Sequence, residues 1–307
     1  MVKIVDKQFS IDDVDSDDVL ICTVGYEERS TYILDKFKER VSKQNILVFC
    51  FEDLLNEERI TSYITDLNNS DIFVVYVLYE DDNKVFKEII NFLSKENRRT
   101  KKIFIDYSAM PRTWYSKLPT NLISISSNID YLYVLGKYQE EEDNYPCAGI
   151  DSFSMIGKPS LRNSNRLHVI GIGYDSTRTT GLISILDPDA FCICSAHHSK
   201  DDEMEKRVQK VNKSIVSQSL FSISLYIDDF SYMVAKLCEL AYEYSNLGDV
   251  IFVPDGPKPL IMAMSMVPQI VKKEGIMCMH ISRNSKGYKF VNVLPTDTVI
   301  SFSVEDN

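Results

Sequence analysis

Two short polar corners in the first half of the chain hold the residue types from which chemistry is made: "GYEERS" (25–30) and "DYSAMPRTW" (106–114). Glu27 and Asp106 are carboxylates able to take or give a proton, while Arg29 and Arg112 suit a phosphate or developing negative charge. Gly25 lets the backbone turn sharply. Tyr26 and Ser108 stand beside these groups. Ser30 or Thr31 is placed to cap a following helix, and a helix N-terminus attracts anions. Pro111 suits the first helical position, which puts Arg112 in the first turn. A cation there opposes the helix dipole, so it calls for an anionic partner: a ligand phosphate, or Asp106 or Glu27 as a salt bridge.

A second pair of corners stands further on: "GIGYDSTR" (171–178) and "PDGPKPLIMA" (254–263). Gly173, Tyr174, Asp175 and Arg178 occupy the first. In the second, Asp255 and Gly256 make a turn, Lys258 stands where a phosphate would sit, and Pro259 opens a helix. Neither glycine corner completes GxGxxG, and the chain has no P-loop and no GxSxG elbow. Helix caps with solvated charges explain these corners equally well.

The two pairs are one pattern written twice. The offset that carries Gly25 onto Gly173 also carries Tyr26 onto Tyr174, Glu27 onto Asp175, Thr31 onto Thr179, Ile103-Phe104 onto Ile251-Phe252 and Pro111 onto Pro259. A repeat of this length means a duplicated structural unit. Each copy reads as apolar strands alternating with helices. The strands are 19–24, 45–51, 72–79, 102–106 and 131–135 in the first copy, and 167–172, 190–195, 221–227, 250–254 and 276–281 in the second. Such alternation predicts a mostly parallel sheet buried on both faces. The expected fold is α/β: two tandem Rossmann-like, doubly wound sheets, residues 1–160 and 161–307. Residues 137–166 form an acidic, then polar boundary with room for a β-hairpin. In strand order 3-2-1-4-5, ligands bind beyond the carboxyl ends of strands 1 and 4, where the order reverses. The repeated corners fall on those two strands.

The composition bounds what these corners can serve. The chain has 307 residues, 44% hydrophobic and 26% charged, with a formal charge of −11. That charge argues against broad binding to long nucleic acid, yet permits a small basic pocket. No apolar run reaches membrane-spanning length, and the first residues lack a signal-peptide pattern. The seven scattered cysteines fit a reducing cytoplasm. "FCICSAHHSK" (191–200) gathers Cys192, Cys194, His197 and His198 without a zinc spacing, so no metal site is assigned. Its cysteines read as core, and either histidine would reach toward the first corner. Cys22 also reads as core. Glu52 and Asp53 follow the second strand, either as a ribose-binding acid or as a helix start.

The corners resemble those of CARF domains, the Rossmann-like sensors of CRISPR-associated proteins. "VPDGPKPLIMA" (253–263) is similar to their Thr-Gly-Gly-Thr-Lys-Pro-Met loop, with Gly256, Lys258 and Pro259 in order and Leu260 for Met. In "IDYSAMPRTW" (105–114), Ser108 and Pro111 fit, whereas the glycines and the Lys are absent. The resemblance implies a cyclic oligonucleotide held at a two-fold interface, with the duplicated halves standing in for a dimer inside one chain. The differing loops argue for an asymmetric ligand, and no additional domain is left over for a nuclease effector. The function expected is binding of a nucleotide or other phosphorylated ligand, as a regulator working with a separate protein effector in antiphage defence. A nucleotide- or nucleic-acid-hydrolysing enzyme in the first repeat, with Glu27 or Asp106 as acid/base, is the second reading. A non-enzymatic assembly subunit is the third. No cofactor is specified by any motif.

Overall fold

The computed structural model describes residues 2–138, 150–160, 165–283 and 292–306. In chain order the first elements are β1 (Val2–Lys7), β2 (Val19–Val24), α1 (Tyr32–Phe37), β3 (Ile46–Phe51), α2 (Glu58–Asn68), β4 (Phe73–Val77) and α3 (Asp82–Leu93). They are followed by β5 (Ile103–Asp106), the short helices α4 (Arg112–Tyr115) and α5 (Leu118–Leu122), and β6 (Ile129–Tyr138). Next come β7 (Ile150–Gly157), β8 (Arg166–Gly171), α6 (Ser176–Leu186), β9 (Ala190–His197), α7 (Asp202–Val211), α8 (Lys213–Val216) and β10 (Ser222–Tyr226). The chain ends through α9 (Phe230–Tyr244), β11 (Asp249–Val253), α10 (Lys258–Val271), β12 (Ile276–Arg283) and β13 (Val293–Asp306).

Two compact units result, one from residues 1–141 with 290–307 and the other from 142–289. The first holds a seven-stranded sheet of order β1-β13-β6-β5-β2-β3-β4, the second a six-stranded sheet of order β10-β9-β8-β11-β12-β7. Without their outer antiparallel strands, both show the parallel order 3-2-1-4-5, reversing between β2 and β5 and between β8 and β11. The expected α/β class and its two mostly parallel sheets are what the chain forms.

The unit limits differ from a division at 160/161 at both ends. β7 lies before that point and, among the described residues, pairs antiparallel with β12 of the second sheet. β13 lies after it and returns to the first sheet, between β1 and β6. Antiparallel pairing over such a separation leaves no local signature, which is why the linear repeat missed it.

Composition accounts for the centre of each sheet. "ILVFCF" in β3 is a continuous apolar run, "VLICTV" in β2 is apolar but for Thr23, and every residue of both is buried. A run lacking alternation suits a strand covered on both faces. Helix α9 instead buries one stripe, Phe230, Met233, Val234, Leu237, Leu240 and Ala241, at three- and four-residue spacing. Helix α10 is buried all round from Pro259 to Pro268, and its first ten residues after Lys258 carry no charge.

Candidate ligand site

In the second unit, β8 ends at Gly171 and β11 at Val253, so the two loops run side by side at the reversal of strand order. Their backbones touch. A Cβ on Gly171 would lie 2.5 Å from the Asp255 carbonyl oxygen, and one on Gly173 3.1 Å from Gly256 Cα. Gly256 adopts φ +87°, and a Cβ there would sit 2.3 Å from the Ile172 carbonyl oxygen. These three glycines bring the loops together, a role beyond the turn expected at Gly256.

Asp255 locks the contact. One carboxylate oxygen accepts the Gly256 N–H at 2.8 Å, and the other meets Arg178 Nε at 3.2 Å. Arg178 and Asp255 are both buried, so this ion pair ties the first turn of α6 to the β11 loop from beneath. Asp175 caps α6 by accepting the Arg178 N–H at 2.9 Å. Asn212 donates to the Gly173 carbonyl at 2.8 Å, fixing that loop against α7 and α8. Arg207 lies over the Tyr174 ring, 4.9 Å from its centroid. Asn212 and Arg207 act across more than 30 residues of chain, and no local pattern marks them.

Gly173, Tyr174, Asp175, Gly256 and Lys258 remain half-buried at the rim, with Lys258 the first residue of α10. Two helices, of 11 and 14 residues, therefore begin on either side of the glycine contact. Their N-terminal partial charges and the Lys258 ammonium act on the same small region.

The first unit uses the equivalent place differently. Arg29 is buried, and its guanidinium is taken up by Glu27, by the Tyr133 hydroxyl at 3.1 Å and by the Val134 carbonyl at 3.2 Å, with its carbon 5.2 Å from the Tyr133 ring centroid. Gly136 gives it room: a Cβ there would lie 2.9 Å from an Arg29 nitrogen. Asp106 is buried too, accepting from the backbone N–H and hydroxyl of Ser108, while Ser108 Oγ accepts the Val134 N–H at 2.8 Å. Ser30 bonds the Gly25 carbonyl, and Thr31 makes no capping bond, so neither caps a helix as the sequence suggested. Arg112 opens α4, a helix of only four residues. Gly25 is buried and Tyr26 half-buried, with the Tyr26 carbonyl accepting from Arg59 at 2.8 Å. Asn292 bonds Glu28 through both its amide atoms, so the approach to β13 clamps this corner.

The strand-end histidines gather a cluster of their own. His197 Nδ1 lies 3.3 Å from Glu205 and 3.3 Å from Ser224 Oγ, and Glu205 also accepts from Ser195 and Gln209. His198 lies 4.0 Å from Asp228. Burial would raise the Asp228 carboxyl, but the N–H and hydroxyl of Ser199, with His198 nearby, hold it below the ordinary carboxylate value. Cys192 and Cys194 are buried in β9, and burial pushes the Cys192 thiol up to about 12. Glu52 and Asp53 lie exposed in a short helical turn after β3.

No protein-family model and no curated protein matches the chain. Among solved structures, it is similar to the cytoplasmic domain of a prokaryotic cation chloride cotransporter at 12% identity and TM-score 0.23, over 87% of this chain and 95% of that one. It is similar to a universal stress protein from Archaeoglobus fulgidus at 10% identity and TM-score 0.25, over 89% and 98%. A ketoreductase domain from the bacillaene assembly line follows at 9% and 0.23, over 90% and 71%. Among the described residues, no helix is long and apolar enough to cross a membrane.

Proposed function

We propose that the protein binds a phosphorylated small ligand, a nucleotide or a close relative, at the reversal of strand order in the second unit, and that binding serves regulation. One observation carries this reading: the first turns of α6 and α10 meet across the Gly173–Gly256 contact, with Lys258 half-buried at the head of α10. Backbone approach, two helix N-termini and one cation are what a phosphate needs. The buried Arg178–Asp255 pair makes the seat rigid and so lowers the ordering cost of binding.

The regulatory half of the proposal rests on the first unit. Glu27 and Asp106, the acid/base candidates of a hydrolase, are each held by a neighbour, Arg29 and Ser108. This favours a binding role over turnover. The resemblance of the Lys258 loop to CARF loops supports a cytoplasmic sensor with a separate protein effector in antiphage defence. That part is analogy of motif, and the phosphate seat does not depend on it.

The test is a thermal-shift screen of mono-, di- and cyclic nucleotides, with mass spectrometry of molecules released from the purified protein. A stabilising nucleotide whose effect is lost in Lys258→Ala supports the seat, and its recovery unchanged after incubation separates sensor from hydrolase. A stabilising nucleotide that acts equally on Lys258→Ala places the phosphate elsewhere and refutes the assignment.

A further inference from the structure

The first unit holds buried polar groups that its own fold does not satisfy. Thr23 Oγ1, Tyr107 OH and Trp114 Nε1 are each enclosed without a hydrogen-bond partner among the described residues. Thr23 is 1% exposed, and Tyr107 and Trp114 are fully buried. A buried polar atom left unmatched costs on the order of 1–3 kcal/mol, so three on one side of one sheet call for a cause.

They do share a side. Thr23 is in register with Phe49 of β3, and Ile21 with Ile105 of β5. Two residues on from Ile21 and Ile105 stand Thr23 and Tyr107, neighbours on the same face. Helix α4 covers that face with Trp114, whose ring is 6.0 Å from Phe49 and 5.4 Å from Phe51. Tyr107 is flanked by Tyr115 at 5.6 Å and Tyr133 at 5.4 Å. The walls are aromatic rings, and the unmatched atoms are polar tips among them. The row of rings reaches the surface: Phe51 lies 6.0 Å from Tyr79, which is 42% exposed.

We propose that the layer between α4 and the β2-β3-β5 face is a binding site for a planar heteroaromatic group of nucleobase type. Its faces would stack on the aromatic rings, and its edge would exchange hydrogen bonds with the hydroxyls of Thr23 and Tyr107 and the indole N–H of Trp114. The site is closed in this structure, so entry requires α4 to lift. The α4–α5 segment is buried at Trp114, Tyr115, Leu118 and Leu122, so its opening is a rare event and binding is expected to be slow. Burial holds the Tyr107 phenol well above its ordinary value, which keeps its hydroxyl neutral and able to donate. This site lies within the first unit and stands independently of the phosphate seat at Lys258.

The experiment uses adenosine, guanosine, cytidine and uridine, which carry a base and no phosphate. Binding to the full chain is measured by calorimetry and thermal shift for the wild type, Thr23→Val, Tyr107→Phe, Trp114→Phe and Lys258→Ala. At least one nucleoside is expected to bind and to raise the melting temperature. Tyr107→Phe and Thr23→Val should each weaken it about tenfold, the loss of one buried hydrogen bond, while Lys258→Ala leaves it unchanged. Without ligand, both deletion variants should melt at or above the wild-type temperature, because each removes an unmatched polar group. Failure of all four nucleosides to bind overturns the proposal, as does binding indifferent to the three variants. A fall of several degrees in the ligand-free variants also overturns it, since buried water would then be satisfying those hydroxyls.

Discussion

Gly256→Ala is the sharpest test of how the second unit is built. The residue has φ +87°, and an L-residue held there costs about 1–2 kcal/mol. The added Cβ would stand 2.3 Å from the Ile172 carbonyl oxygen and 2.9 Å from its carbon. Backbone cannot rotate out of the way like a side chain, so the loops must part, at a further cost of about 1–3 kcal/mol. The sum is about 2–5 kcal/mol, and each kcal/mol lowers the melting point of a unit of this size by about 2–4 °C. Differential scanning calorimetry should therefore show one transition lowered by about 4–20 °C.

Two control glycines fix the interpretation. A Cβ on Gly173 would meet Gly256 Cα at 3.1 Å, so Gly173→Ala should cost about 1 kcal/mol. At Gly25, its partner in the repeat, the nearest atoms would be Ala109 Cβ and a Phe51 ring carbon, both at 3.7 Å. That is ordinary contact, so Gly25→Ala should be neutral or stabilise by about 0.4–1 kcal/mol through the unfolded chain. A Gly256→Ala transition within about 2 °C of wild type would refute the reasoning, and so would an order of damage in which Gly25 outranks Gly256.

Arg178→Met strips a buried carboxylate of its partner and should lower stability by about 3–5 kcal/mol in chemical denaturation, with Arg178→Met/Asp255→Leu recovering part of the loss. Asp228 has its folded-state value lowered, so its contribution is present at neutral pH and fades as pH falls through that value. Ser199→Ala should accordingly lower the urea midpoint at pH 7 and lower it less as the pH falls below the ordinary carboxylate range. Gly136→Ala would set a Cβ 2.2 Å from Val293 Cγ1 and 2.9 Å from an Arg29 nitrogen and should destabilise the first unit, whereas Gly136→Ala with Val293→Ala should be milder than the sum of the two, a coupling that a double-mutant cycle reads directly. Cys22, Cys192, Cys194 and Cys278 are buried with thiols raised by burial, so native protein at pH 8 should leave them unalkylated while denatured protein labels all four.

Strand positions and their order were legible because they follow from local composition. The runs "VLICTV", "ILVFCF" and "DVIFV" have no polar alternation, and each is a fully buried strand. Strand order followed from right-handed crossovers, which leave little choice once five strands alternate with helices. The outer antiparallel strands were illegible for the opposite reason. β13 pairs with β6 and β1 through residues more than 150 positions apart, and nothing inside "VLPTDTVISFSVED" names those partners. The corner residues were found by type, yet their use was settled by distant ones. Gly136 leaves room for Arg29 beside β6, and Asn212 donates to the Gly173 carbonyl.

The two copies of the corner differ in where each cation finds its anion. Arg29 pairs with Glu27 two residues before it, so the ion pair closes within one loop and fills the space beneath it. Arg178 pairs with Asp255 on the other loop, so the pair joins the two loops, while Gly173, Tyr174, Asp175, Gly256 and Lys258 stay half-buried. Helix length pulls the same way. A dipole acts through its first turn, and α10 presents one backed by 14 residues, whereas α4 is scarcely more than a turn in total. The net charge of −11 does not oppose an anion at such a place. At physiological salt, interactions between exposed charges fade over about 8 Å, so a bound phosphate feels Lys258 and the two helix termini far more than the remote carboxylates. The proposed anion binding is confined to one notch, so broad affinity for long nucleic acid does not follow from it.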